Sequence, residues 1–262
     1  MNSSGNLINL FSNAVDQGVI SPQTSSLLTG HLGQVVIAGA AGTALDSIVA
    51  SDVTLITVLI DASSSIADRN LAQAVRDGHN VLVDALGQSK QSDSVLMALW
   101  KFSGDQEVLH SYVPIGGATK LSRFNYRPAG ATALYDTWCD ALASNVAYAQ
   151  QLRDSGTPCR SIVVMITDGE DVCSRRTAQD CAKISRDLLA SEQFVLAFVG
   201  VGQEADFRAV ARRMGIPDGC VLVCKDASTQ GLRQVFQMVS QSAIRASQGK
   251  ILPGPQAGFF QP

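Results

Sequence analysis

From Val53 onward the chain alternates short, almost wholly apolar runs with longer stretches of helical period, and few folds accept that rhythm. Val53 to Ile60 reads VTLITVLI, almost wholly apolar and rich in β-branched residues, as expected of a strand covered on both faces. Ile66 to Leu86 then places Leu71, Val75, Gly78, Leu82 and Ala85 on one helical face. Val95 to Phe102 is a second apolar run, and Glu107 to Val113 a weaker one of edge character. Thr132 to Leu152 returns to the helical period through Leu134, Trp138, Leu142, Val146 and Ala149. The alternation continues with a strand at Ile162 to Ile166, a helix at Thr177 to Leu189 and a strand at Phe194 to Val201. A helix at Ala205 to Met214, a short strand at Val221 to Val223 and an amphipathic helix at Leu232 to Ile244 complete it. Strands interleaved with helices of this length predict right-handed βαβ units, hence an α/β fold with a doubly wound, mostly parallel sheet.

The flanks differ from this middle. Asn6 to Gln17 carries Leu7, Leu10, Phe11 and Val15 at helical spacing, and Ser21-Pro22 is a start signal for a second helix. Gln34 to Ala50 is rich in Ala and Gly, shorter than a membrane span and interrupted by Asp46, so it reads as a small-residue helix packed in protein. After Arg245 the chain turns to Gly, Pro and Gln without a period, broken only by Phe259 and Phe260. The expected division is a helical N-terminal prefix over 1–50, the α/β domain over 51–247 and a flexible C-terminal tail over 248–262. A net charge of -3 argues against a general binder of nucleic acid or acidic membranes. The six cysteines form no CxxC pair, and the first residues carry no basic n-region. Reduced thiols, no structural zinc and a cytoplasmic location are the corresponding expectations.

In an open parallel sheet, ligands sit beyond the carboxyl ends of the strands where the winding reverses. Three polar clusters fall at such positions: Asp61-Ala62-Ser63-Ser64-Ser65 after the first strand, Gly130-Ala131-Thr132 ahead of the long middle helix, and Thr167-Asp168-Gly169-Glu170 after the strand that ends at Ile166. Taken singly, each is equally well a helix cap or an ordinary turn. Taken together, they offer hard oxygens from Asp61, Ser63, Ser65, Thr132 and Asp168, a set suited to Mg²⁺ or Mn²⁺ and poor for zinc or copper. Glu170 and Asp171 read as a solvated rim that would meet a partner, Arg175, Arg176, Arg208, Arg212 and Arg213 as solvated helix faces, and Trp100 and Trp138 as core.

Asp61-x-Ser63-x-Ser65, Thr132 in a Gly-x-Thr turn and Thr167-Asp168-Gly169, in that order, resemble the metal-ion-dependent adhesion site of von Willebrand factor type A domains, over roughly residues 53–247. The resemblance, to members of bacterial intracellular type, implies a Rossmann-like sheet of six strands with one antiparallel edge strand. It also implies that Ser63, Ser65 and Thr132 bind the metal by hydroxyl, with Asp61 and Asp168 acting largely through water. An ion held mostly by neutral ligands keeps its charge and attracts an anionic sixth ligand, so the expected function is non-enzymatic binding of a partner protein through an acidic side chain, as part of a larger complex. Two alternatives stand beside it. One is a scaffold subunit working with an AAA+ ATPase or a stress or metal-resistance system. The other is a phosphohydrolase of the haloacid dehalogenase type with Asp61 as nucleophile, disfavoured because Ser63 stands where such enzymes place an acid. No GxSxG elbow and no GxxxxGK[ST] loop points to a serine hydrolase or a nucleotide site.

Overall fold

The computed structural model describes residues 3–261. Three helices come first, α1 (Ser3–Asp16), α2 (Pro22–Thr29) and α3 (Gln34–Gly39). Ser21 caps α2 as its sequence suggests, its side chain accepting from the Thr24 amide with Pro22 in the first turn. Strand β1 (Val53–Asp61) follows, then the short α4 (Ser64–Asp68), α5 (Ala72–Gly87), β2 (Val95–Phe102) and β3 (Gln106–Pro114). The second half runs α6 (Leu134–Asp154), β4 (Cys159–Thr167), α7 (Ala178–Ala190), β5 (Phe194–Val201), α8 (Phe207–Arg213), β6 (Val221–Cys224) and α9 (Thr229–Ser247).

The six strands form one sheet in the order β3-β2-β1-β4-β5-β6. All neighbours are parallel except β2 and β3, so the weak Glu107–Val113 run is the antiparallel edge expected of it. Every residue of β1 is buried, which explains its largely apolar text without polar alternation: helices cover both faces and leave no solvated side to alternate toward. From β1 the chain winds outward to β2 and β3, then returns to β4 on the other side. The switch point therefore lies between the carboxyl ends of β1 and β4.

Three sequence expectations are corrected by the packing. The helix read over 66–86 is two helices, because Asn70 takes a left-handed turn (φ 56°) that ends α4 and re-aims α5. The helix read over Gln34 to Ala50 stops at Gly39. Its small residues serve close approach instead: a Cβ on Gly39 would overlap the Trp100 ring, and one on Gly42 the Tyr148 ring and the Tyr112 Cβ. Of the segment expected to be loose, residues 248–261 are docked. Phe259 is fully buried, the Gly254 amide donates to Phe194 O (2.9 Å), and the Cys220 thiol reaches Ala257 O. Two aromatic rings carry enough apolar area to hold a segment whose remaining composition reads as linker.

The prefix belongs to the same core. Leu7, Leu10, Phe11, Leu28 and Val36 are continuous with the sheet's apolar side chains, and α1 and α3 both pack on α6. That cover is why α6 is buried on nearly all sides. Arg176, read as solvated, is buried against α6 in a 2.6 Å ion pair with Asp140. All six cysteines are free, and Trp100 and Trp138 are core.

Candidate metal centre

Strand register builds the centre. Ile60 pairs with Ile166, so Asp61 ends β1 directly beside Thr167, with Asp168 one residue further on. Asp61 is 1% exposed and its two carboxylate oxygens are held separately: Oδ1 accepts from the Ser63 amide (2.8 Å) and Oδ2 from the Thr167 hydroxyl (2.5 Å). Below it, the buried Tyr126 hydroxyl donates to the Asp61 carbonyl (2.5 Å). Ser63 opens α4 in extended conformation, and Ser65 follows in the first turn. Their hydroxyls lie 3.0 Å apart, and Ser65 Oγ donates to Asp168 Oδ1 (2.7 Å).

The third loop is stitched to the first by its backbone. The Ala129 amide donates to Ala62 O, Ser64 N to Gly130 O and Gly130 N to Ser64 Oγ, at 2.8, 3.0 and 2.9 Å. Gly130 makes the approach possible at φ 91°, a conformation that a side chain would disfavour. Thr132, 5% exposed, comes next; its carbonyl accepts from the Val172 amide (2.8 Å), and its hydroxyl lies against Gly169, 3.9 Å from where a Cβ there would stand. The structure thus gathers Asp61, Ser63, Ser65, Thr132 and Asp168 at the switch point.

The capping readings of these residues fare poorly. Ser63 occupies the N-cap position of α4, yet its side chain makes no capping hydrogen bond. Thr132 is not a cap at all, since Ala133 holds that place in α6. Of the two rim residues, Glu170 is exposed, whereas Asp171 is occupied in the loop, its Oδ1 accepting from the Tyr135 amide (3.2 Å) and the Ser174 hydroxyl (2.5 Å).

Burial pushes the Asp61 carboxyl up to about 6, opposed by its bonds to Ser63 and Thr167 and reinforced by the charge of Asp168. Asp168 is raised as well, by burial first, with Ser65 and Arg69 pulling the other way. Asp168 Oδ2 is buried without a hydrogen-bond partner. Two buried carboxylates side by side, one with an oxygen that accepts no hydrogen bond, beside three short hydroxyl side chains, fit a hard divalent cation. Among the described residues no cluster of three or more His, Cys, Asp or Glu offers a softer or more acidic alternative. Sequence reasoning quoted Thr167 in the third motif without a role and did not assign Tyr126, Arg69 or Glu204 to this centre. Thr167 and Arg69 had a signal in their spacing from Asp168 and Ser65; Tyr126 and Glu204 arrive from distant loops and had none.

The family model of the von Willebrand factor type A domain matches residues 56–238, a span that includes all five oxygen-bearing side chains. Solved structures with the same fold include a von Willebrand factor type A protein from Catenulispora acidiphila, at 17% identity over 74% of this chain and 43% of that one, with a TM-score of 0.51. The pilus adhesin SpaC from Lactobacillus rhamnosus GG is similar at 14% identity, 74% and 30% coverage and a TM-score of 0.54. The PilB minor pilin from Streptococcus sanguinis is similar at 11% identity, 77% and 63% coverage and a TM-score of 0.54. The chain spans less than two thirds of each of these proteins. No curated protein matches it. Among the described residues no helix is long and apolar enough to cross a membrane. By the family model and by its sheet order, the chain belongs to the von Willebrand factor type A domain family.

Proposed function

We propose that the chain is a protein-binding module whose Ser63, Ser65 and Thr132 hydroxyls and Asp61 and Asp168 carboxylates hold Mg²⁺, or Mn²⁺ in its place, and that it binds a partner through an acidic side chain. The observation that carries this reading is the convergence of hydroxyls that serve no capping role on two buried carboxylates, one with an oxygen that accepts no hydrogen bond. When bound, a hard divalent ion supplies an electrophilic point to which a Glu or Asp of the partner adds as ligand. Asp61 is fixed for this by Ser63 and Thr167, and Asp168 by Ser65, so neither carboxylate has to be reorganised when the ligand arrives.

Recognition suits this constellation better than turnover. Asp61 has no acid two residues on, because position 63 is a serine whose amide is already bonded back to Asp61. Its carboxylate oxygens are both engaged, a poor arrangement for a nucleophile. One protein that shares the fold is named a pilus adhesin, a binding role of the kind proposed here. Exposed Glu170 and Val172, on the loop that covers Thr132, give the site a mixed polar and apolar margin for a partner.

The test is calorimetric titration of Mg²⁺ into wild type, Asp61→Ala, Thr132→Ser and Thr132→Val. Wild type and Thr132→Ser bind, while Asp61→Ala and Thr132→Val lose at least about tenfold in affinity, 1.4 kcal/mol. Equal, weak heats in all four variants would remove the metal from the reading.

A further inference from the structure

Arg69 reaches the centre from the far end of α4. Its amide donates to Ser65 O (3.1 Å), so it stands one helical turn beyond Ser65 on the same face. The two side chains divide Asp168 between them. Ser65 Oγ donates to Oδ1 at 2.7 Å, and Arg69 Nη1 lies 3.4 Å from Oδ2. That second contact is an ion pair but not a hydrogen bond: Nη1 and Oδ2 are both buried and both lack a hydrogen-bond partner. The other amino group of Arg69 sits 3.0 Å from Glu204 Oε1, at the more exposed side of the guanidinium. Gly202 makes room for this arrangement at φ 109°, since a Cβ there would stand 3.1 Å from Arg69 Nη1 and overlap the Glu204 carboxylate. Arg69 is therefore shared between a poorly bonded carboxylate inside the centre and a better bonded one at its rim.

We propose that Arg69 is a built-in competitor for Asp168 that sets how tightly the centre holds its divalent ion, and that Glu204 tempers this competition by holding the guanidinium outward. The inference rests on the metal-binding reading above. A cation drawing on Asp168 shares it with a fixed positive charge a few ångströms away, in surroundings where charges are only partly screened. The loose Asp168 contact yields readily, while the Glu204 contact gives the guanidinium a place to remain. The same positive charge beside the ion strengthens the centre's demand for an anionic ligand. Weak metal affinity without a partner and strong selection of acidic partners then have one cause.

Mn²⁺ binding tests the inference, followed by the electron paramagnetic resonance signal of the free ion at constant ionic strength. Wild type, Asp61→Ala, Arg69→Gln, Arg69→Lys, Glu204→Gln and the double variant Arg69→Gln/Glu204→Gln are compared. Arg69→Gln binds about tenfold tighter, and Arg69→Lys, which keeps the charge, stays within about threefold of wild type. Glu204→Gln binds several-fold more weakly in the wild-type background and has no effect once Arg69 is replaced by Gln, the coupling expected of two groups that act through one contact. Unchanged or weaker binding by Arg69→Gln overturns the proposal. So does an equal effect of Glu204→Gln in the wild-type and Arg69→Gln backgrounds; if Arg69→Gln fails to fold, Glu204→Gln binding as tightly as wild type or more tightly overturns it instead. Absence of saturable binding in wild type, matching Asp61→Ala, is a different outcome: it refutes the metal centre itself.

Discussion

Replacing Asp61 by asparagine should stabilise the protein in the absence of divalent ions, although it removes a side chain from the heart of the centre. The carboxyl titrates at about 6 in the fold against 3.8 as an ordinary Asp, so holding it ionised above pH 6 costs about 3 kcal/mol. The introduced amide side chain would keep an oxygen for the Ser63 amide, and the charge-assisted bond from Thr167 that it gives up is already contained in that net shift. The Thr167 hydroxyl can rotate to accept from the new amide. The net expectation is a gain of up to about 3 kcal/mol for Asp61→Asn at pH 7.5 in chelator, read from urea unfolding. The pH dependence carries the sign. A folded carboxyl raised above its unfolded value binds its proton first in the fold, so wild-type stability falls as pH rises from 3.8 to about 6. Asp61→Asn lacks that component, and the difference between the two curves isolates it from other groups. Mg²⁺ inverts the order, because an ion bound only by the folded wild type adds RT ln(1 + [Mg²⁺]/Kd) to its stability. If Asp61→Asn is less stable in chelator at pH 7.5 and runs parallel to wild type between about pH 4 and 6, burial does not govern this carboxyl and the argument fails.

His79 supplies the opposite slope. Burial lowers it from 6.5 to about 4, so its contribution is complete above 6.5 and is lost as pH falls toward 4, by about 3 kcal/mol; His79→Gln should move the acid unfolding midpoint to lower pH. Gly78→Ala adds a Cβ that overlaps the Phe236 ring between α5 and α9; overpacking of about 1–3 kcal/mol outweighs the helix gain of about 1 kcal/mol, and Phe236→Leu in the same chain should restore the loss in urea unfolding. Phe259→Ala should cost about 3 kcal/mol and expose the segment after α9 to proteolysis, since that fully buried ring pins it; wild-type resistance in the variant would refute the docking.

Much of the fold was legible because its central strands are covered on both faces and could not be anything but apolar and β-branched. The three polar loops were legible for the complementary reason, since Asp, Ser and Thr at the ends of such strands interrupt the text where the chain leaves the core. What could not be read depends on contacts distant in sequence. The apolar period of Ile66 to Leu86 continues across Asn70 because Ile66 and the buried face of α5 pack into one core, so periodicity alone hides the break between α4 and α5. Gly39 and Gly42 look like helix material until the Trp100 and Tyr148 rings show what they admit. The 248–262 segment has a linker's composition, and only the Phe194 strand end and Cys220 reveal what receives Phe259. Arg69 shares a turn with Ser65, but its second partner, Glu204, comes from beyond β5 and leaves no trace near it.

The position of the two aspartates is costly in a way that folding alone does not explain. Register between β1 and β4 is fixed by long apolar runs on both strands, and a slip of one residue would turn every buried side chain to the wrong face. That rigid pairing leaves Asp61 and Asp168 nowhere to separate, at 1% exposure each and with the charge of Asp168 raising the affinity of Asp61 for a proton or a cation. An amide in place of Asp61 would relieve that repulsion while keeping an acceptor for the Ser63 amide. The strong core of the sheet thus holds together a pair of charges that would otherwise move apart, and under the proposed function a divalent cation, competing with Arg69 for Asp168, would turn this enforced proximity from a penalty into a binding site.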